Sequence, residues 1–172
     1  MGVQSRRPSE SEYLQTDVLV IGCGIAGGIT ALELASKGVS VVLVTLAASP
    51  EQTNTFYAQG GVVATGVEDS HDLLVEDIVR AGAGLSDRKA VEILATEGPR
   101  LVLEILVDRL HVPFDRTDNE EFSRVLEAGH STRRIFHAAD ATGAAIEKAL
   151  LRELSAFPNI TLLLHHTAVD LL

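Results

Sequence analysis

The chain lacks the means to build several common kinds of protein. Its 172 residues include one cysteine, Cys23, which excludes an internal disulfide framework and a cysteine-built zinc site. There is no tryptophan and only 4% of residues are aromatic, so a stacking platform for single-stranded nucleic acid is excluded too. Basic residues are outnumbered, 14 against 24 acidic, and the formal charge of −10 argues against a nucleic-acid or anionic-membrane surface. No run approaches the ~20 apolar residues that span a bilayer. Met1 to Glu12 are polar, carry both charge signs and hold no apolar core of a secretory signal. Residues 1–16 therefore read as a disordered tail, and the cytoplasm is the simplest compartment. What is present is 46% hydrophobic and 22% charged, a globular balance in a length that fits one domain or two small ones.

Strand and helix alternate along the chain, which predicts an α/β fold with a Rossmann-like parallel sheet and crossover helices. Asp17–Ile21 is a near-continuous apolar run, expected as a buried central strand. Residues 22–28 are glycine-rich, Ile29–Lys37 is predicted as a helix stopped by Gly38, and Val39–Thr45 as a second strand. Residues 46–69 form a loop of the length that is commonly functional. Ser70 is placed to cap a helix reaching Ala81, with Leu74, Ile78 and Ala81 on one face. Asp87–Thr96 and Pro99–Leu110 are predicted as two consecutive helices, Pro99 opening the second. Residues 112–129 are polar and turn-rich. Thr142–Phe157 reads as a helix with Ile146, Leu150 and Leu154 inward, and Ile160–Leu164 and Thr167–Leu172 as strands. A helical insertion thus separates the second strand from the third.

Gly22-Cys23-Gly24-Ile25-Ala26-Gly27 is a GxGxxG turn between a strand and a helix. In that setting the first glycine permits the tight turn and the second lets a pyrophosphate approach the backbone. The third lets helix and strand pack closely, and the helix amides meet the negative charge. Cys23 has no basic neighbour in sequence and reads as a small loop residue. The acidic residue expected at the end of the second strand, to hold a ribose, is missing from Val44-Thr45-Leu46. Thr45 is left as the weaker hydroxyl substitute.

The loop that follows supplies a subtype. Asn54-Thr55-Phe56-Tyr57-Ala58-Gln59-Gly60-Gly61-Val62 resembles the flavin-contacting loop of the succinate dehydrogenase/fumarate reductase flavoprotein superfamily. Within it, the tyrosine before Ala-Gln-Gly-Gly is most similar to the L-aspartate oxidases. Val75–Gly84, Gly129–Arg134 and His137–Gly143 fit the same family in order, so the likeness covers residues 17–172. The resemblance implies an FAD enzyme that oxidises L-aspartate to iminoaspartate, with oxygen or fumarate as acceptor, as the first step of de novo NAD synthesis. It implies a cytoplasmic protein, or a plastid one in a plant or alga, and the next enzyme of quinolinate synthesis as a candidate partner. Gly22, Cys23, Gly24, Ile25, Ala26 and Gly27 would hold the FAD diphosphate, and Asn54 to Gly61 would run past the flavin. Asn54 stands where covalent relatives carry the flavin-bonding histidine, which implies non-covalent attachment. Glu127 and His130 match the substrate loop, and a carboxylate there would favour aspartate over succinate by facing its ammonium.

The sequence also departs from that family. Leu46 replaces a common lysine, and Ala128-Gly129 replaces Gly-Gly. Relatives are several hundred residues long, so residues 17–172 read as the first part of an FAD-binding domain, with catalytic His and Arg groups expected beyond Leu172 and no turnover expected from this stretch alone. A fumarate reductase or succinate dehydrogenase subunit is the nearer alternative, and a non-catalytic nucleotide-binding module the farther one. His130, Arg133, Arg134 and His137 form a basic cluster suited either to a dicarboxylate or to pairing with the acidic surplus. Asp140 with Thr142 reads as a helix cap. His165 and His166 lack further ligands for a metal.

Overall fold

The computed structural model describes residues 13–127 and 129–170. Most of the expected N-terminal tail, residues 1–12, lies outside them, as do Ala128 and the last two residues. Thr16 is anchored, its hydroxyl donating to the Ser40 carbonyl at 2.8 Å. The chain forms two units, residues 1–58 with 146–172, and residues 59–145.

The first unit holds a parallel sheet of β1 (Val18–Ile21), β2 (Val41–Val44) and β5 (Ile160–Leu163), in the order β1-β2-β5. Val18 pairs with Val41, and Val41 with Ile160. All four residues of β2 are buried, which is why that strand is continuously apolar. The expectation of a buried central strand at Asp17–Ile21 is overturned. β1 has one neighbour among the described residues, and its Leu19 and Ile21 are exposed. Helix α1 (Ile25–Ser36) starts four residues earlier than expected and includes Gly27 and Gly28, so close packing outweighs their poor helix propensity. Gly38 ends it at φ +81°, as its position predicts. Helix α2 (Asn54–Tyr57) interrupts the long loop, with Thr53 accepting from the Phe56 amide. Helix α5 (Thr142–Leu154) buries Ile146, Leu150 and Leu154 as expected.

No strand forms over 167–170, against expectation. The His165 and His166 amides donate instead to the Ala47 and Thr45 carbonyls, and His165 takes φ +59°, which turns the chain out of the ladder.

The second unit is the helical insertion, built on α3 (His71–Ala81) and α4 (Arg88–Leu101) around Leu74, Val75, Val91 and Ala95. Ser70 caps α3 by accepting from the Leu73 amide, and Asp87 caps α4 by accepting from Lys89 and Ala90. Ala81 is exposed, whereas Asp77 takes a place on the buried face. Two separate helices around Pro99 are not found: α4 runs through Pro99 and continues as a π-helical segment, Val102–Arg109. Pro99 has no amide to give, and the wide turns after it absorb the misfit. The Leu110 amide reaches back five residues to Ile105. Strands β3 (Val62–Val63) and β4 (Ile135–Phe136) pair antiparallel, an element too short to show in a hydropathy pattern.

Candidate functional site

In the first unit Gly22 and Gly27 stand where the chain turns tightly and where helix and turn approach through bare backbone. Gly22 sits at φ +100°, a conformation open to glycine, where the chain reverses out of β1. A Cβ on Gly27 would stand 1.9 Å from the Gly22 carbonyl oxygen, so helix and turn touch through bare backbone. A Cβ on Gly24 would meet the Thr55 hydroxyl at 3.0 Å. That hydroxyl accepts from the Ile25 amide at 3.0 Å, which fastens α2 to the start of α1.

Gly24 is the N-cap of α1 and supplies no capping side chain. The Ala26 and Gly27 amides have no acceptor within the helix and point out of its positive end, so the turn fits a diphosphate. Cys23 is buried, its thiol donating to the Pro50 carbonyl at 3.3 Å. Burial raises the thiol above its ordinary value, more than the Thr45 hydroxyl lowers it, and Glu147 raises it further. A buried, protonated thiol is a packing group. Thr45 also accepts from the Ala47 amide at 3.3 Å. Asn54 and Tyr57 are exposed on α2, and Phe56 packs edge-on against Tyr57.

The second unit begins with the exposed Gln59 and Gly60 and then Gly61, where a Cβ would collide with Ile135 and Phe136. Glu127 is exposed, and its Oε2 lies 3.8 Å from the place of a Cβ on Gly60. Glu127 and the Gln59–Gly61 stretch are therefore neighbours. The His130 amide donates to the Glu127 carbonyl at 3.2 Å, and the His130 ring nitrogen Nδ1 is 3.3 Å from Arg134.

The basic cluster divides between surface and interior. Arg133 is exposed, and His137 pairs with Asp115 at 2.9 Å. Arg134 is fully buried: its Nε and Nη2 donate to Asp69 at 2.9 and 2.7 Å, and its Nη1 to Asp77 at 2.8 Å. The amide and hydroxyl of Ser131 both donate to Asp77 at 2.8 Å, and Arg80 clamps Asp77 and the Gly129 carbonyl. Burial alone would push the Asp77 carboxyl up, but the Ser131 bonds, Arg80 and Arg134 bring it down to about 2. This network is a brace for the loop that carries His130.

Sequence reading missed Asp77, Glu147 and the burial of Arg134. Glu147 had a signal: it lies three residues before Leu150 and seven before Leu154, on the buried stripe of α5. The Thr142 hydroxyl accepts from the Ala138 amide at 3.1 Å, a bond to the loop before α5 and not to one of the helix's own first amides, so it is not the cap expected there. Among the described residues no group of His, Cys, Asp or Glu is arranged to hold a metal ion, and no helix is long and apolar enough to cross a membrane.

Comparison with known proteins agrees with this geometry. The profile of the family described as FAD binding domain matches residues 17–172. The chain is 42% identical to L-aspartate oxidase 2-b, chloroplastic, of Nicotiana tabacum, over 98% of this chain and 25% of that protein. It is also 42% identical to the L-aspartate oxidase of Halobacterium salinarum, over 91% of this chain and 30% of that protein. Among solved structures it superposes on the Mycobacterium smegmatis Sdh1 complex in the apo form with a TM-score of 0.79 and 27% identity, covering 87% of this chain and 27% of that one. The chain spans about a quarter of the length of the curated relatives it matches. It belongs to the FAD binding domain family, in the branch of the L-aspartate oxidase and succinate dehydrogenase/fumarate reductase flavoproteins, whose cofactor is FAD.

Proposed function

We propose that this chain carries the nucleotide-binding part of an enzyme that oxidises L-aspartate to iminoaspartate, with oxygen or fumarate as acceptor. The observation that carries this reading is the position of Glu127. Its carboxylate stands beside Gly60, in the stretch that resembles the flavin loop, on a chain 42% identical to L-aspartate oxidases. When bound, FAD would supply the redox chemistry, the substrate giving up a hydride from Cα and a proton from its nitrogen as the C=N bond forms. The α1 amides of Ala26 and Gly27 hold the diphosphate, and Asn54 to Gly61 line the flavin. Thr45 is the hydroxyl available to the ribose. Glu127 neutralises the substrate ammonium, and His130 is oriented beside it by the Arg134 brace. The cytoplasm, or a plastid in a plant or alga, is the compartment this pathway step requires, and the next enzyme of quinolinate synthesis is the candidate partner.

Flavin attachment gives a direct check. Asn54 cannot form the histidyl bond of covalent relatives, so acid precipitation of the intact yellow protein should leave the flavin in the supernatant. Yellow colour held in the pellet would refute non-covalent binding.

Substrate choice rests on Glu127. Aspartate and succinate differ by one ammonium, and a carboxylate about 4 Å from it gains roughly 4 kcal/mol of gross attraction at an effective dielectric of 20. Desolvation and solvent screening cut this to about 1–2 kcal/mol, or roughly 5- to 30-fold. Glu127→Gln should raise KM for aspartate by that factor and leave fumarate reduction nearly unchanged. Equal loss of both activities, or loss of neither, would remove Glu127 from ammonium recognition.

A further inference from the structure

Glu147 is fully buried on α5, and neither of its carboxyl oxygens has a hydrogen-bond partner among the described residues. A carboxylate in that condition is costly, because nothing replaces the water it gave up. Burial, the largest influence, pushes this carboxyl up to about 7; the Thr53 hydroxyl pulls it down and the charge of Glu51 pushes it up again. The titratable groups facing it from neighbouring segments are Glu51 on the loop before α2 and Cys23 in the glycine turn. α1 meets α5 through apolar contact, Gly28 against Leu150.

These segments form one construction. The Cys23 thiol donates to Pro50, the Ile25 amide donates to Thr55, and Gly24 lies against Thr53 and Thr55. The loop of residues 50–55 is thus laid over the start of α1, and Glu147 is near enough to feel Thr53 and Glu51 of that loop and to act on Cys23. A neutral acid there leaves the positive end of α1 free to attract an anion. A carboxylate there opposes that end and repels both Glu51 and a diphosphate.

We propose that Glu147, as the neutral acid, is a positioning residue for the FAD diphosphate site, and that its ionisation weakens FAD binding. The proposal rests on the FAD reading of the glycine turn. It requires FAD affinity to fall as pH rises through neutrality, although the cofactor's own diphosphate does not titrate there. When only the neutral form supports tight binding and the midpoint is near 7, Kd rises about tenfold between pH 6 and pH 8.

The test is titration of the intact, deflavinated protein with FAD at pH 6, 7 and 8, read by quenching of flavin fluorescence. The wild-type protein should show the tenfold rise in Kd. Glu147→Gln, neutral at every pH, should hold Kd within twofold over the range and bind at pH 8 as tightly as the wild type does at pH 6. Glu147→Met, of similar volume, should be equally flat and serves if the glutamine variant fails to fold. Parallel pH profiles in wild type and either variant, or a flat wild-type profile, would overturn the role of Glu147 and leave the FAD site standing. No FAD binding at any pH would overturn both.

Discussion

Gly27→Ala should cost the intact protein most of its FAD affinity, with Kd rising roughly 150-fold, as about 3 kcal/mol of misfit requires. The added methyl would stand 1.9 Å from the Gly22 carbonyl oxygen and 3.3 Å from the Val20 side chain. The first of these contacts is backbone, which cannot turn away as a side chain can. Relief needs α1 to lift off β1, and that moves the Ala26 and Gly27 amides from the place where a diphosphate would sit. Gly28→Ala is the control one residue along. Its methyl would meet the end of the Leu150 side chain at 2.5 Å, a contact that repacking can relieve, so its FAD affinity should fall far less. Equal behaviour of the two variants in a fluorescence titration would show that the close approach at Gly27 does not shape the site.

The second large effect concerns stability. Arg134→Met removes the cation that bridges Asp69 and Asp77, leaving Asp77 with Arg80 and Ser131 and the buried Asp69 carboxylate with backbone amides alone among the described residues. Breaking a buried pair from one side costs about 3–5 kcal/mol, because the stranded charge keeps its desolvation penalty. Chemical denaturation at pH 7 should show that loss, and adding Asp69→Asn with Asp77→Asn should restore part of it. An unchanged midpoint would mean that the network is idle.

Its pH dependence has a definite sign. The Asp77 carboxyl lies at about 2 in the folded chain against an ordinary 3.8, so its contribution is present above about pH 4 and is lost as pH falls through 2. Asp77→Asn should be missing that acid-side loss. A variant that keeps the wild-type acid profile would assign the loss to other groups.

How much of this was legible beforehand follows the range of the forces. The glycine turn, the Ser70 cap, Gly38 and the inward stripe of α5 are set by residues within a turn or two of each other, and all can be read from spacing. Pro99 is different. Its missing amide is a local fact, but whether the chain breaks there or widens into a π-helical segment depends on what Val102 and Leu106 pack against. Which strand lies at the centre was hidden too, since β1 and β2 are equally apolar and only their neighbours distinguish them. The Arg134 brace joins groups 57 and 65 residues apart, so the basic cluster could be counted but not divided into its buried and exposed members. Glu147 was concealed by its type: an acid on a buried stripe is read as a surface residue unless the spacing is taken seriously.

On the proposed function, the intact flavoprotein takes electrons from L-aspartate and not from succinate. The most direct measurement is anaerobic mixing of the purified protein with L-aspartate or succinate while the visible absorbance of the flavin is followed. Aspartate should bleach it fully and rapidly, and succinate at the same concentration should leave it oxidised over the same time. Bleaching by succinate and none by aspartate would contradict the account and return the chain to the succinate dehydrogenase side of its family.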